Sequence, residues 1–352
     1  MLKNIIQLTK KLVSIKSTTG NTKDLDKILD IALSHLKEYR IERFERNGIK
    51  SALVYNSPKR PKKFKVILNA HLDIIPGKDS QYTPRIKGSK LYGAGSMDMK
   101  ASAACLIMAF KKVANQVNYP LGLQLVTDEE VGGFDGAKYQ IEKGVMADFV
   151  IAGESTNFDI VNKAKGVLKI KISTYGKAAH GAYPWMGENA VWKMNNFLNI
   201  LKKKFPDLKR EQWITTVNLA KIETTNQALN KIPEDCTVLL DIRYIPEEED
   251  NIVYTIKRLV PSGFKFSVVA KEPALLTDKN NENIIQLRKV IREIVGSRVV
   301  TRGAHGTSDA RHFRCPGVEF GPIGGGIGSD NEWVNIPSLG KYCQILEAFL
   351  RS

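Results

Sequence analysis

The chain has little of what builds disulfide frameworks, thiolate metal cages or membrane spans. Its four cysteines, Cys105, Cys236, Cys315 and Cys343, lie far apart in 352 residues and show no Cys-x-x-Cys spacing. That excludes a disulfide-stapled fold and a cysteine zinc cage, and leaves buried free thiols. No apolar run approaches the roughly 18 residues a bilayer span needs. The opening Met1-Leu2-Lys3-Asn4-Ile5-Ile6-Gln7-Leu8 breaks its apolar stretch too early for a signal peptide. A soluble, cytoplasmic protein with no membrane partner is expected. Histidine is also scarce, with only His35, His71, His180, His305 and His312, so each one carries information.

Acidic residues are in deficit: 53 Lys and Arg against 37 Asp and Glu give a net charge of +16. Such an excess favours nucleic acid or acidic surfaces unless it is scattered. The densest basic cluster, Lys59-Arg60-Pro61-Lys62-Lys63, joins the apolar runs 52–55 and 64–68, where a solvated turn belongs. No aromatic residues alternate with the basic ones there, so nucleic acid is not expected as a partner. Lys202-Lys203-Lys204 reads likewise as the solvated end of a helix. A 43% hydrophobic and 26% charged composition describes a folded soluble chain. Its length favours two domains.

Apolar spacing predicts helices over 4–15 and 22–39, the second capped at Asn21-Thr22. Strands are predicted at 66–71, 122–127 and 149–152, alternating with helices at 99–114 and 136–143. That alternation implies an α/β fold with a mainly parallel sheet flanked by helices. From about residue 165 the texture changes to strands at 167–175, 213–222, 236–244 and 264–269, with helices at 189–203 and 249–259. The α/β pattern then returns, with a helix at 283–295, a strand at 318–320 and a closing helix at 338–350. A metal-binding catalytic domain of 1–165 with 272–352, interrupted by an inserted α+β domain at 166–271, is the expected organisation.

Several strands end in chemically active residues. Asn69-Ala70-His71-Leu72-Asp73 puts a histidine and an aspartate at a strand's carboxyl end, where open α/β sheets bind ligands. The i, i+2 spacing lets Asp73 face His71 and set its tautomer. Gly93-Ala94-Gly95-Ser96-Met97-Asp98-Met99-Lys100 is a glycine-rich turn presenting one carboxylate, and it lacks the Gly-Lys-Ser/Thr of a phosphate loop. Three consecutive acids, Asp128-Glu129-Glu130, follow a strand and call for a neutralising cation. Gly153-Glu154-Ser155 repeats the theme. One histidine and several separate acids at strand ends suit zinc-like divalent ions.

The order His71-x-Asp73, Asp98-Met99-Lys100, Asp128-Glu129-Glu130 and Gly153-Glu154-Ser155 resembles the dizinc aminoacylase family. That family includes carboxypeptidase G, acetylornithine deacetylase and succinyl-diaminopimelate desuccinylase. The resemblance covers almost the whole chain and implies a zinc-exopeptidase-like fold with an inserted lid that forms a homodimer. It implies that Asp98 bridges two zinc ions and is followed by a cis peptide to Met99. His71 and Glu154 would complete one metal site and Glu130 would serve the other. Glu129 would be the general base and Asp73 would orient His71. His180, within Gly176-Lys177-Ala178-Ala179-His180-Gly181, would reach a neighbouring subunit's active site and stabilise the oxyanion. Asn230 and Arg243 would be lid positions for substrate, and the Thr307-Ser308-Asp309-Ala310-Arg311 segment, through Thr307, Ser308 and Arg311, would bind its carboxylate.

One departure stands out. The family carries a histidine, the second ligand of the Glu130 metal, four residues before a glutamate; here Gly328 precedes Glu332, and no histidine follows His312. Either Asp330 ligates instead, or His305 or His312 takes the position, or the second metal binds weakly or not at all. An active enzyme with a rewired second site is expected because the other positions are intact, with one or two zinc ions per subunit and cobalt or manganese as alternatives. The expected activity is metal-dependent hydrolysis of an N-acyl amino acid. The alternatives are di- or tripeptidase or carboxypeptidase action, and a non-catalytic binding relative.

Overall fold

A computed structural model describes residues 1–296 and 298–352. The chain forms two compact units, one of residues 1–163, 276–302 and 308–352, the other of 164–275 with 303–307. The sequence alone keeps 303–307 with the larger unit. Here they group with the smaller one because Gly303 lies under the Trp213 ring, the Ala304 carbonyl accepts the Lys165 N–H at 3.2 Å, and His305 meets Glu211.

The larger unit is mixed α/β. Six strands of its main sheet run in the order Arg40–Arg46, Ile49–Tyr55, Leu121–Val126, Phe64–His71, Ala147–Ala152 and Gly317–Glu319. The last four pair in parallel and the first three antiparallel, so the sheet is parallel at its centre and antiparallel towards this edge. The central strands are buried along nearly their whole length, which matches their mainly apolar sequences, and the buried Asn69 and Gln124 side chains pair with each other at 2.9 Å. Helix Ala101–Val113 is mainly apolar and buried at ten of its 13 positions, with Lys111 and Lys112 exposed in its last turn, and it packs with the closing helix Ile336–Leu350.

Helix Thr22–Leu33 starts where its cap predicts: the Asn21 side chain accepts the Asp24 N–H. It stops well short of Tyr39. The Ser34 hydroxyl donates to the Ile31 carbonyl at 2.7 Å, and single turns close at Leu36 and Tyr39. Leu36 still enters the core, so its apolar spacing continues after the helix ends. Next comes a hairpin that the periodicity does not reveal, turning at Asn47-Gly48 with φ of 51° and 79°.

A second small sheet in this unit pairs Gly324–Gly325, Trp333–Asn335, Lys90–Tyr92 and Arg85–Lys87 in that order. It brings the 93–98 turn beside Glu332. The smaller unit is a four-stranded antiparallel sheet ordered Thr216–Glu223, Asp235–Tyr244, Gly166–Tyr175 and Lys265–Glu272. Strict alternation along Asp235–Tyr244 turns Val238, Leu240, Ile242 and Tyr244 onto Met194 and Phe197 of helix Ala190–Lys204 and Ile256 of helix Ile252–Leu259.

Candidate metal centre

The parallel strands deliver their acids and histidine at neighbouring carboxyl ends. His71 closes strand Phe64–His71 and is buried. Its Nδ1 lies 3.0 Å from the backbone carbonyl of Asp73 and 3.6 Å from that residue's carboxylate. Asp73 thus faces His71 as the i, i+2 spacing predicts, with its main-chain oxygen nearer to the imidazole than its carboxylate. The strand ends at His71, the chain turns, and the main-chain oxygen takes the imidazole N–H. One Asp73 carboxylate oxygen accepts the Glu130 backbone N–H at 2.9 Å, and the other is the one that faces His71.

On the other side of the ring, His71 Nε2 lies 3.0 Å from Asp98 Oδ1 and 3.8 Å from Glu154 Oε1. Glu154 follows strand Ala147–Ala152, and the intervening Gly153 donates its N–H to the Asn69 carbonyl at 3.0 Å, tying the two strand ends together. Asp98 sits in the Ser96–Lys100 turn, and its peptide bond to Met99 is cis.

The turn is held by a residue to which the sequence reading gave no role. One Glu332 oxygen accepts the N–H groups of Met97 and Asp98 at 2.7 and 3.0 Å, and the other accepts that of Gly95 at 2.9 Å. The available signal was its place four residues after Gly328, where the family pattern carries its glutamate.

Among the described residues, His71, Asp98 and Glu154 form the one group of three whose ligand atoms all lie within 4.8 Å of one another. Tetrahedral zinc with bonds of about 2.0–2.1 Å sets its ligand atoms about 3.3 Å apart, close to the spacings seen. One imidazole nitrogen with a fixed tautomer and two carboxylates fit one such ion.

Glu129 and Glu130 occupy a short turn after strand Leu121–Val126. Burial pushes the Glu129 carboxyl well above its usual range; His71 and Arg311 oppose that shift, while Asp309 and Asp73 add to it. The Arg311 guanidinium is 3.8 Å away. Glu130 accepts the Ile75 N–H at 3.3 Å, and burial raises its pKa to about 7. Burial also raises Glu154, with Asp98 and Glu129 adding to the effect against His71. Burial disfavours protonation of His71, yet Asp73, Asp98 and Glu154 together outweigh it and raise its pKa. Several half-buried acids around one buried histidine make a field that a divalent cation relieves. Asp128 stands apart, its carboxylate accepting the Asp135 and Gly136 N–H groups at 2.8 and 3.0 Å.

The other candidates each make contacts of their own. Asp330 is exposed and paired with Lys78, outside the three-ligand group. His312 is buried with Nε2 against the Gly132 carbonyl at 3.0 Å, and burial lowers its pKa to about 3. His305 belongs to the smaller unit and pairs with Glu211 at 3.0 Å. Arg311 is buried and donates to the Ser308 and Gly132 carbonyls, both at 2.7 Å, so it props the Glu129 turn. Ser308 is buried in the larger unit, whereas Thr307 groups with the smaller.

In the smaller unit His180 is exposed, its Nδ1 accepting the Ala182 N–H at 3.2 Å. The next residue, Gly181, donates to the Asn230 carbonyl at 2.7 Å, placing Asn230 beside it. Arg243 closes on Asp241 of its own strand at 2.9 and 3.1 Å.

The model of peptidase family M20/M25/M40 matches residues 67–352. The chain belongs to that family. It is a hydrolase acting on amide bonds. It is 28% identical to a succinyl-diaminopimelate desuccinylase of Sphingopyxis alaskensis, covering 99% of both chains. Its fold matches that of the aminopeptidase PepT of Bacillus cereus with a TM-score of 0.81 at 19% identity, over 100% of this chain and 98% of that one. It also matches the Bacillus subtilis YXEP protein, a dinuclear metal-binding M20 peptidase, with a TM-score of 0.74 at 13% identity, over 99% and 97%. No helix among the described residues of this M20 chain is long and apolar enough to cross a membrane.

Proposed function

We propose that this M20 enzyme removes an acyl group from the amino nitrogen of an amino acid, with N-succinyl-diaminopimelate as the first candidate substrate. The observation that carries this reading is a half-buried glutamate, Glu129, 3.8 Å from Arg311 and in the electrostatic field of the His71–Asp98–Glu154 group. The curated desuccinylase relatives, similar along nearly their whole length, support the choice of acyl group.

His71, Asp98 and Glu154 would hold the ion, taken as zinc. When bound, such an ion polarises a carbonyl and lowers the pKa of a water towards about 7. Glu129 accepts the water's proton and returns it to the leaving amine, a task for which its raised pKa suits it. Arg311 keeps that carboxylate in place from 3.8 Å. The Asp73 carbonyl holds the His71 tautomer. His180 supplies a hydrogen bond to the oxyanion from a partner subunit, while Asn230, Arg243, Thr307 and Ser308 contact substrate. The exposed Trp192, Leu219 and Ile222 of the smaller unit support a homodimer formed there, and the enzyme is assigned to the cytoplasm.

The test is amine release from a panel containing N-succinyl-diaminopimelate, N-acetylornithine and several di- and tripeptides, with zinc, cobalt or manganese. Preferential turnover of the succinyl substrate supports the reading. A preference for peptides replaces it with an exopeptidase, and no turnover of any member overturns it.

A further inference from the structure

We infer that this chain binds one catalytic metal ion, on His71, Asp98 and Glu154, and that its second ion site is dismantled. The inference rests on the metal-dependent reading above, and three observations around Gly328 carry it.

First, the missing histidine is not a simple exchange on an unchanged loop. Gly328 has φ +67°, a left-handed conformation that residues with a Cβ seldom adopt. A Cβ built there would lie 3.1 Å from Ile75 Cδ1, tighter than ordinary packing. The backbone at the ligand position has taken a shape suited to glycine.

Second, each group that could replace the imidazole is engaged elsewhere. Asp330 pairs with Lys78, and the Ser329 carbonyl accepts the Gln81 amide at 3.0 Å. These contacts zip the 328–332 loop to the 75–82 segment around a cavity of about 230 Å³ whose cationic group is Lys78. His312 is turned to the Gly132 carbonyl, and His305 lies in the smaller unit on Glu211.

Third, Glu130, the remaining expected ligand of the second ion, accepts the N–H of Ile75, the residue that Gly328 abuts. Among the described residues no three-ligand group contains Glu130. A second ion would have at most Asp98 and Glu130, whereas catalytic zinc sites take three protein ligands. Asp98 is then a terminal ligand rather than a bridge.

The experiment is zinc titration of the chelator-stripped full-length protein by calorimetry, with elemental analysis after dialysis. Wild type is expected to retain one zinc per chain. Glu130→Gln and Asp330→Ala are expected to retain one as well, with affinity within about threefold of wild type. Glu154→Gln, shown folded by circular dichroism, is expected to lose at least a hundredfold in affinity, and His71→Asn serves as a second variant should it misfold. Two ions retained by wild type, with one lost in Glu130→Gln or Asp330→Ala, overturn the inference while leaving the metal-dependent function intact. No retained ion overturns both. One retained ion without turnover of any substrate overturns the function and leaves the inference standing.

Discussion

The carboxylate of Glu332 accepts the backbone N–H of Asp98 at 3.0 Å, so the aspartate of the His71–Asp98–Glu154 group is set from the main chain by a glutamate 234 residues away. The same carboxylate takes the Gly95 and Met97 N–H groups, and burial raises its pKa against those three bonds. Replacing Glu332 with alanine leaves three donors around a buried void. Each unsatisfied buried donor costs about 1–3 kcal/mol, and loss of such support weakens metal affinity by about 10–100-fold. Calorimetric zinc titration and denaturant unfolding of Glu332→Ala should show both losses. Unchanged zinc affinity would mean that Asp98 is held by other contacts.

Metal removal should lower stability because the ion binds only the folded arrangement. At a free concentration of 1,000 times Kd the stabilisation is about 4 kcal/mol. A chelator should therefore depress the melting temperature of wild type and leave that of His71→Asn unmoved. An equal depression in both would place the ion elsewhere.

Gly153 sets the reach of Glu154. A Cβ there would meet Leu106 Cδ1 at 2.6 Å and Met99 Cε at 2.7 Å, inside a filled core. Gly153→Ala is expected to cost about 1–3 kcal/mol through overpacking and to reduce zinc affinity by shifting Glu154. Retention of both stability and affinity would show that helix Ala101–Val113 yields at this point.

Lys100 gives a pH signature. It is buried, its ammonium donates to the Ile15 carbonyl at 2.8 Å, and burial lowers its pKa to about 7. An unfolded lysine holds its proton up to about pH 10.4. Between roughly pH 7 and pH 10 the unfolded chain thus binds more protons at this position, so its contribution makes stability rise with pH, by up to about 1.4 kcal/mol per unit. Below pH 7 both states carry the proton and the contribution is flat. Urea unfolding of metal-free wild type and Lys100→Met across that range should show a smaller slope in the variant. Equal slopes would contradict the shift.

Much of the fold was legible because periodicity reports burial. The mainly apolar runs ending at His71, Val126 and Ala152 are buried parallel strands, and the strand expected at 236–244 is an inner strand of the smaller unit's sheet with every second residue buried. The hairpin at Asn47-Gly48 is not legible from apolar spacing, because Arg40–Arg46 has a charged residue at five of its seven positions and only the turn dipeptide signals it. Residues 303–307 could not be assigned from spacing at all. Their grouping depends on contacts with Trp213, Lys165 and Glu211, far away along the chain.

At the site, the histidine and acids at strand ends were readable because a sheet's topology places those ends together. The atoms they use were not. Asp73 meets His71 most closely through its carbonyl, Glu332 works through three main-chain donors, and Arg311 donates to two carbonyls. Each is a main-chain contact, and side-chain identity does not announce it.

The most direct test of the account is hydrolysis by Glu129→Gln beside wild type, each loaded with zinc and assayed on the best substrate of the panel. The substitution keeps the shape of the side chain and removes its capacity to take a proton. The account predicts unchanged zinc content and a fall in kcat of about 10²–10⁴-fold, the range that a positioned general base supplies. Turnover within about threefold of wild type at equal zinc content would contradict it.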